Sequence, residues 1–402
     1  MLISFSFSNY CSFKNVQTFS LLGSEKYQEH PENLIDGKFL KSSLIYGANA
    51  SGKTNFIDAF YEFRDVILDS TSSEKEEPLI SSITPFLLDD VSSNEPTQFE
   101  IVFKEGDVTY RYGLAFNSVQ ILEEWLYTKT ARETEVFFRE KQKIIYKKTR
   151  FTELDSLIEN DRLTIDPTTP VISVAALTKK KICKTIITFV QKIRVISGID
   201  ESGFKSVTYE LFEKDEAFKV WALEILKNFN IHNLDIEDIN EDSPNTRSKV
   251  RKLKVEVVKK TKEGFKNFPL SFESEGTRKV LYLLGPLYDS IKSNYLLIID
   301  EFDSKFHTLL TKEVLKIFHR FSNQTSQLVA VVQDSCLMDS SLLRPDQIWF
   351  IDKNNISGES ELYSLVEYKI KQKKNYSNDY LEGKYGAIPL FSSYSEIDGL
   401  ME

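Results

Sequence analysis

The chain has 402 residues, 41% of them hydrophobic, with 29 Phe and 18 Tyr; this excludes a disordered chain and leaves room for one large domain with insertions or for two or three lobes. Its formal charge of −9 argues against a surface coated with nucleic-acid contacts. No apolar run reaches the roughly 18 residues needed to span a bilayer, and the three scattered cysteines, Cys11, Cys183 and Cys336, lack metal-site spacing and read as reduced thiols of a soluble cytoplasmic protein.

The first residues, MLISFSFSNY, alternate apolar and polar with no basic leader, so they predict a strand and not a signal peptide. Residues 2–8 and 16–22 form a predicted strand pair, and 43–46 a short buried strand. Phe56, Ile57, Phe60, Phe63 and Ile67 then recur at helical spacing, which predicts a helix over 53–68 with one apolar face. Residues 70–78 are Ser- and Glu-rich and read as a loop. QFEIVF, VTYRYGLAF and ILEEWLY predict an antiparallel meander. Short helical patterns dominate from about 131 to 240, as in 176–193 and 216–229, and the turn-like EDINEDSPNTRSK closes that insertion. LKVEVV alternates, with Leu253, Val255 and Val257 on one face and Lys252, Lys254 and Glu256 on the other. Nine basic and two acidic residues lie between Arg247 and Lys266, a solvated strand face or a phosphate-backbone contact. YLLIID (295–300) and QLVAVVQD (327–334) are near-continuous apolar runs, the pattern of central parallel strands. No internal repeat and no sustained heptad pattern is present. Trp125 and Trp349 read as core residues.

The loop Gly47-Ala48-Asn49-Ala50-Ser51-Gly52-Lys53-Thr54 matches the phosphate-binding G-x-x-x-x-G-K-[ST] pattern, which a chain of this length meets by chance at a rate of about 1–2%. Its glycines let backbone N–H groups curl inward toward phosphate oxygens, and the following helix adds the positive end of its dipole. Lys53 supplies charge for the β and γ phosphates, Thr54 a hydroxyl for Mg²⁺, and Asn55 continues the binding stretch. The second half of such a site is an acid at the end of a buried strand. LLIIDE supplies Asp300 for the Mg²⁺ shell and Glu301 to orient or deprotonate the attacking water. Lys53 and Asp300 are 247 residues apart in sequence, which favours an ATPase with a large inserted lobe.

Upstream of LLIIDE, LSFESEGTRKVLYLLGPL resembles the signature segment of ABC-type ATPase heads, and Ser274-Glu275-Gly276-Thr277 resembles the variant found in the SMC-like and OLD-like branch. More narrowly, SFSNYCSFKNVQTFSLL, YGANASGKTNFIDAF, ILEEWLY, ESEGTRK, IIDEFDSKFH, LLRPDQIWFIDK and YLEGKYGAIPLF resemble the AAA-type ATPases found with RloA-type and abortive-infection systems of bacteria. These pieces run from residue 4 to residue 391. The resemblance implies an α/β fold, an ABC-type P-loop ATPase head with a mixed central sheet, an antiparallel β meander and an inserted helical lobe. The implied segments are 1–130 and 246–366 for the ATPase lobe, 131–245 for the helical insertion and 367–402 for a tail.

It also implies ATP trapped between two protomers, with Ser274, Gly276 and Thr277 of one reaching the nucleotide of the other and Asp303 contacting the partner. By itself SEGT reads equally as a helix cap. Two departures stand out. Where relatives read N-F-R-S-F, this chain has Asn9-Tyr10-Cys11-Ser12-Phe13, without the nucleotide-binding Arg. Where relatives read T-H-D, it has Val332-Gln333-Asp334, and Gln333 cannot become cationic in the catalytic position. Both imply slow turnover or another residue in that role. His307 falls where relatives carry a His but also suits a helix start; His30, His232 and His319 are too dispersed for a metal site.

The expected function is an ATP-binding and hydrolysing switch, a homodimer or higher assembly using ATP and Mg²⁺, that controls an effector protein such as a nuclease or toxin in anti-phage defence. The alternative is a DNA-repair or chromosome-associated head in which the basic strand contacts nucleic acid. No membrane partner is expected.

Overall fold

The computed structural model describes residues 1–71, 77–147, 157–159, 162–178, 181–200, 202–238, 253–320, 323, 325–368 and 375–389. Two sheets and two apolar cores organise them. One sheet has six strands in the order Ile193–Ser197, Leu296–Asp300, Gln327–Val331, Ser42–Tyr46, Ile348–Lys353 and Ser360–Ser364. Its first five strands are parallel and the last pairs antiparallel. Strands of a parallel sheet are covered on both faces, and here alternate residues feed different cores. Ile45, Ile298, Val329 and Val331 point into one, Leu44, Tyr46, Leu297, Ile299, Leu328 and Ala330 into the other.

The first core lies between this sheet and a nine-stranded antiparallel sheet, with helix Lys53–Asp69 packed into it. The helical spacing of Phe56, Phe60 and Phe63 aims their rings at the N-terminal strand Leu2–Ser8, where Phe5 stacks on Phe60 with centroids 4.1 Å apart. The meander runs as three long antiparallel strands, Thr97–Glu105, Val108–Phe116 and Ile121–Lys129, with one register shift between Ala115 and Phe116. Gln327 staples the two sheets. Its side chain accepts the Leu2 N–H at 2.6 Å and donates to the Leu2 and Leu40 carbonyls.

The second core is covered by helices Ser202–Lys214, Glu216–Leu226, Glu275–Ser293 and Thr308–His319. Pro286 sits inside the third of these and strips the Tyr282 carbonyl of its helical donor. Thr208 repairs the defect: its hydroxyl donates to that carbonyl at 2.5 Å and accepts the Gly285 N–H at 3.0 Å. The approach requires Gly285, because a Cβ there would strike Thr208.

The reading of 131–245 as mostly helical is corrected over part of its length. Glu133–Glu140, Lys143–Tyr146, Ile158–Glu159 and Arg162–Leu163 extend the antiparallel sheet, and Ile193–Ser197 is an edge strand of the central sheet. Helices occupy Val171–Ala175, Lys181–Gln191, Ser202–Lys214 and Glu216–Leu226. The basic strand Leu253–Thr261 is the middle of a three-stranded sheet, with Val257 buried. Lys254 pairs with Glu237 and Glu256, Lys259 with Glu273 and Lys266 with Glu263, so much of the described stretch is neutralised locally. Residues 239–252, including Lys252 and Arg247, lie outside the described residues, as do 72–76 of the predicted loop. Trp125 and Trp349 are both buried. No helix among the described residues is long and apolar enough to cross a membrane.

His319, at the end of helix Thr308–His319, is buried beneath the phosphate-loop strand. Ser42 Oγ accepts from the Gln347 side-chain amide at 2.8 Å and lies 2.7 Å from His319 Nε2. Burial, with Lys41 beside it, lowers the pKa from 6.5 to about 3. From pH 6.5 down to about 3 the unfolded chain therefore binds a proton that the folded chain refuses, and stability falls with pH across that window. Between pH 7.5 and 5.0 this group should cost about 2 kcal/mol. Thermal melts of wild type and His319→Asn at the two pH values test this; an equal acid-induced loss in both would assign the effect elsewhere.

Candidate functional site

Strand Ser42–Tyr46 is wholly buried, and the chain turns sharply where it ends. Gly47 admits no side chain, because a Cβ would collide with the Ile351 carbonyl and lie 2.6 Å from Ser51 Oγ. Gly52 has φ 109°, and a Cβ there would meet the hydroxyls of Ser12 and Ser360, each at 2.7 Å. Between them Ala50 is held left-handed at φ 62°, a strained setting for an alanine. Gly52 opens helix Lys53–Asp69 without a side-chain cap, and the first turn contains no acid. Its leading N–H groups are thus left for the loop, and the dipole there is unopposed.

Lys53 folds back into the loop, donating to the carbonyls of Gly47 at 2.8 Å and Ala48 at 2.7 Å. Burial lowers its pKa, while Asp300, Glu301 and Asp303 raise it. Ser51 is buried with its hydroxyl lacking a partner among the described residues. The loop is clamped from outside. Ser360 donates to the Ser51 carbonyl at 2.6 Å and its Oγ lies 2.8 Å from Ser12 Oγ, to which Asn55 donates at 2.9 Å. Sequence reasoning missed Ser12 and Ser360. They carry no motif, and only the pairing of distant turns brings them together.

The acidic half lies two strands away in the sheet. Leu296–Asp300 is separated from the phosphate-loop strand by Gln327–Val331, and the carboxyl ends of all three are on one edge, where open α/β sheets bind ligands. Thr54 Oγ1 donates to Asp300 Oδ2 at 3.0 Å, closing 246 residues of chain. Glu301 follows in the left-handed region at φ 49°, its N–H bonded to Asp300 Oδ1 at 3.0 Å. The turn beyond it is pinned by the buried Lys279, which donates to the carbonyls of Glu301, Phe302 and Ser304 at 2.7–3.2 Å.

Asp303 bonds within its own chain. Its Oδ2 accepts the N–H groups of Gln333 at 2.8 Å and Asp334 at 2.6 Å, tying the acidic turn to the end of the intervening strand. Gln333 itself is exposed there. Ser274 is the N-cap of helix Glu275–Ser293: its Oγ accepts the Thr277 N–H at 3.1 Å and lies 2.9 Å from Thr277 Oγ1. Gly276 passes close to the Lys305 carbonyl. These signature residues bond within their own helix start, and Ser274 remains exposed on the surface. His307 caps helix Thr308–His319 through Nδ1, which accepts the Leu309 N–H at 3.2 Å. Cys11, where relatives of the resembled family carry Arg, sits in a left-handed turn at φ 49°, and burial raises its thiol pKa.

A phosphate loop with a cradle closed to side chains, an orphaned buried hydroxyl and a paired Thr54–Asp300 fit a nucleotide with a divalent cation. Together with the strand order and the two-core plan, they define an ABC-type phosphate-loop ATPase head. The chain belongs to the family described as "AAA domain, putative AbiEii toxin, Type IV TA system", which matches residues 42–164 and 201–331, more than half of its length. No curated protein matches it. Among solved structures it is similar to an SMC head bound to the C-terminal winged-helix domain of ScpA, at 13% identity and TM-score 0.49, covering 91% of this chain and 99% of that one. It is also similar to the SMC head domain from Thermotoga maritima, at 13% identity and TM-score 0.42, covering 90% of this chain and 98% of that one. A third similar structure is an SMC head with an extended coiled coil bound to the C-terminal domain of Pyrococcus furiosus ScpA, at 13% identity and TM-score 0.43, covering 91% of this chain and 97% of that one.

Proposed function

We propose that the chain is a cytoplasmic ATP-binding and hydrolysing switch subunit of a bacterial anti-phage, abortive-infection system, acting on a partner effector such as a nuclease or toxin. The observation that carries the ATPase part is the Thr54–Asp300 hydrogen bond, which joins the two halves of a phosphate–metal site across the sheet edge. Lys53, Thr54 and the loop amides would hold the phosphates; Thr54 and Asp300 would hold Mg²⁺. When bound, the metal supplies charge neutralisation on the phosphates. Glu301 would orient the attacking water and accept its proton. Gln333 can donate or accept a hydrogen bond but cannot add a positive charge, which suits slow turnover and a switch. Family membership supports the abortive-infection setting.

Switching through assembly is supported by the signature face. Ser274 and the open end of its helix are exposed, and Phe272, two residues earlier, is 76% exposed. ATP would bring a second protomer's Ser274, Gly276 and Thr277 onto the phosphates, with Asp303 transmitting closure through the Gln333–Asp334 backbone. The test is light scattering with and without ATP in a Glu301→Gln background. ATP should convert monomers to dimers or higher assemblies, and Ser274→Arg should prevent this with nucleotide binding retained. Unchanged assembly in Ser274→Arg would sink the interface. Co-purification with the products of neighbouring genes, in both nucleotide states, tests effector control.

The DNA-associated head is the second reading. The ion pairs of Lys254, Lys259 and Lys266 weaken it. ATP-dependent, salt-sensitive DNA binding would restore it.

A further inference from the structure

On the side of the phosphate loop away from the acids, an open cavity of about 1160 Å³ is bounded mainly by three segments distant in sequence, with Leu88 beside them. They are the loop's own lip, Ala48–Ser51; the turn 354–358 between strands Ile348–Lys353 and Ser360–Ser364; and residues Gly386–Pro389 near the end of the described chain. We propose that this cavity takes the nucleoside end of the bound nucleotide, so that Gly386–Pro389 is a wall of the nucleotide site. The proposal rests on the nucleotide reading above and extends it.

Direction carries the argument. Thr54 reaches toward Asp300, and the strand of Asp300 lies on one side of the phosphate-loop strand, beyond Gln327–Val331. The γ-phosphate end of a bound nucleotide belongs on that side. The other neighbour of the phosphate-loop strand is Ile348–Lys353, whose carboxyl end enters the cavity through Asp352 and Lys353. A nucleotide running along the loop from the acids leaves it here.

The lining suits a flat base with a ribose. Leu88, Ile356, Ile388 and Pro389 present apolar surface, and Ile356 is 99% exposed with no packing role of its own. Asp352 supplies a carboxylate, the kind of acceptor ribose hydroxyls need; its Oδ1 takes the Lys353 N–H at 2.9 Å. The third wall is rigidly held. Tyr363 and Tyr368 donate to the Tyr385 carbonyl at 2.7 and 2.9 Å, and Tyr380 donates to the Ala387 carbonyl at 2.9 Å. Gly386 at φ 68° and Ala387 at φ 55° form consecutive left-handed residues. A side chain at 386 would meet Tyr363 Oη at 2.8 Å, and a left-handed alanine is strain of the sort found at ligand sites. The tyrosine cluster therefore holds a turn against the cavity that the chain would not adopt unaided.

The experiment compares ATP with inorganic tripolyphosphate, which has phosphates but no nucleoside, on the full chain by calorimetry. Ser357→Trp fills the cavity from an exposed turn position, and Ile356→Ser removes an apolar wall without touching the core. Ser357→Trp should weaken ATP at least about tenfold and leave tripolyphosphate within about twofold. Ile356→Ser should do the same to a smaller extent. Photolabelling with 8-azidoadenosine triphosphate should mark 354–358 or 386–389. Unchanged ATP binding in both variants, an equal loss for tripolyphosphate, or a label confined elsewhere would overturn the assignment. Lys53→Ala keeps the two readings apart: it should weaken both ligands, and its failure to weaken either would remove the phosphate site itself.

Discussion

Glu301→Gln should lower ATP turnover by about 10²–10³-fold while ATP binding stays within about threefold of wild type. The amide keeps the size and one hydrogen-bonding oxygen of the carboxylate but cannot take a proton from water. The backbone around it should not move, because it is fixed from three directions. The Glu301 N–H is bonded to Asp300, its carbonyl and the next turn are held by Lys279, and Gly198 lies so close that any side chain there would strike the Glu301 carbonyl. The loss should therefore appear in the rate and not in the affinity. Thr54→Ala and Asp300→Asn should differ in kind, reducing Mg²⁺-dependent binding as well as turnover. Phosphate release paired with binding by calorimetry separates the cases. Undiminished release in Glu301→Gln would remove it from the catalytic role.

What was legible in the sequence was what is local. The loop GANASGKT announces itself because its chemistry needs a fixed spacing of residue types, and the helix after it because Phe56, Phe60 and Phe63 keep a 3.6-residue rhythm. LLIID and QLVAV read as central strands because both faces are buried. What failed to show is what depends on pairing. The short strand Ile193–Ser197 follows a helix and has only a half-buried pattern, so nothing local marks it as an edge of the central sheet. The strands over 133–163 are short and polar on one face, and their place was fixed by neighbours already in the sheet. Ser12 and Ser360, which clamp the loop from 348 residues apart, carry no signal of their own. Asp303 reads in the sequence as a contact to a second protomer; its intrachain bond to the Gln333 and Asp334 backbone was not legible, since that link exists only once two strand ends are neighbours.

The largest stability effect should come from ILEEWLY, which the sequence marks as a meander strand without showing the buried ion pair it carries. Glu124 within it is fully buried against Arg139, with guanidinium and carboxylate 3.2 Å apart and both side chains at 0% exposure. The pair is embedded in further bonds. Glu124 also accepts from the Tyr112 hydroxyl at 2.9 Å and the Val171 N–H at 2.9 Å, while Arg139 donates to the carbonyls of Lys141, Pro167 and Thr169. Burial pushes the Glu124 carboxyl up, and Arg139 opposes that shift. The network fastens the antiparallel sheet to helix Val171–Ala175, where Ser173 donates to the Ile67 carbonyl at the far end of the phosphate-loop helix. Arg139→Met should cost about 3–5 kcal/mol, because it strands a buried carboxylate and three carbonyls. Adding Glu124→Gln removes the stranded charge, so the double variant should be less destabilised than the sum of the singles. Urea denaturation of the four proteins measures the coupling. Additivity within about 0.5 kcal/mol would mean the two groups act independently, and the charge pairing would then not be what holds the sheet to the helix.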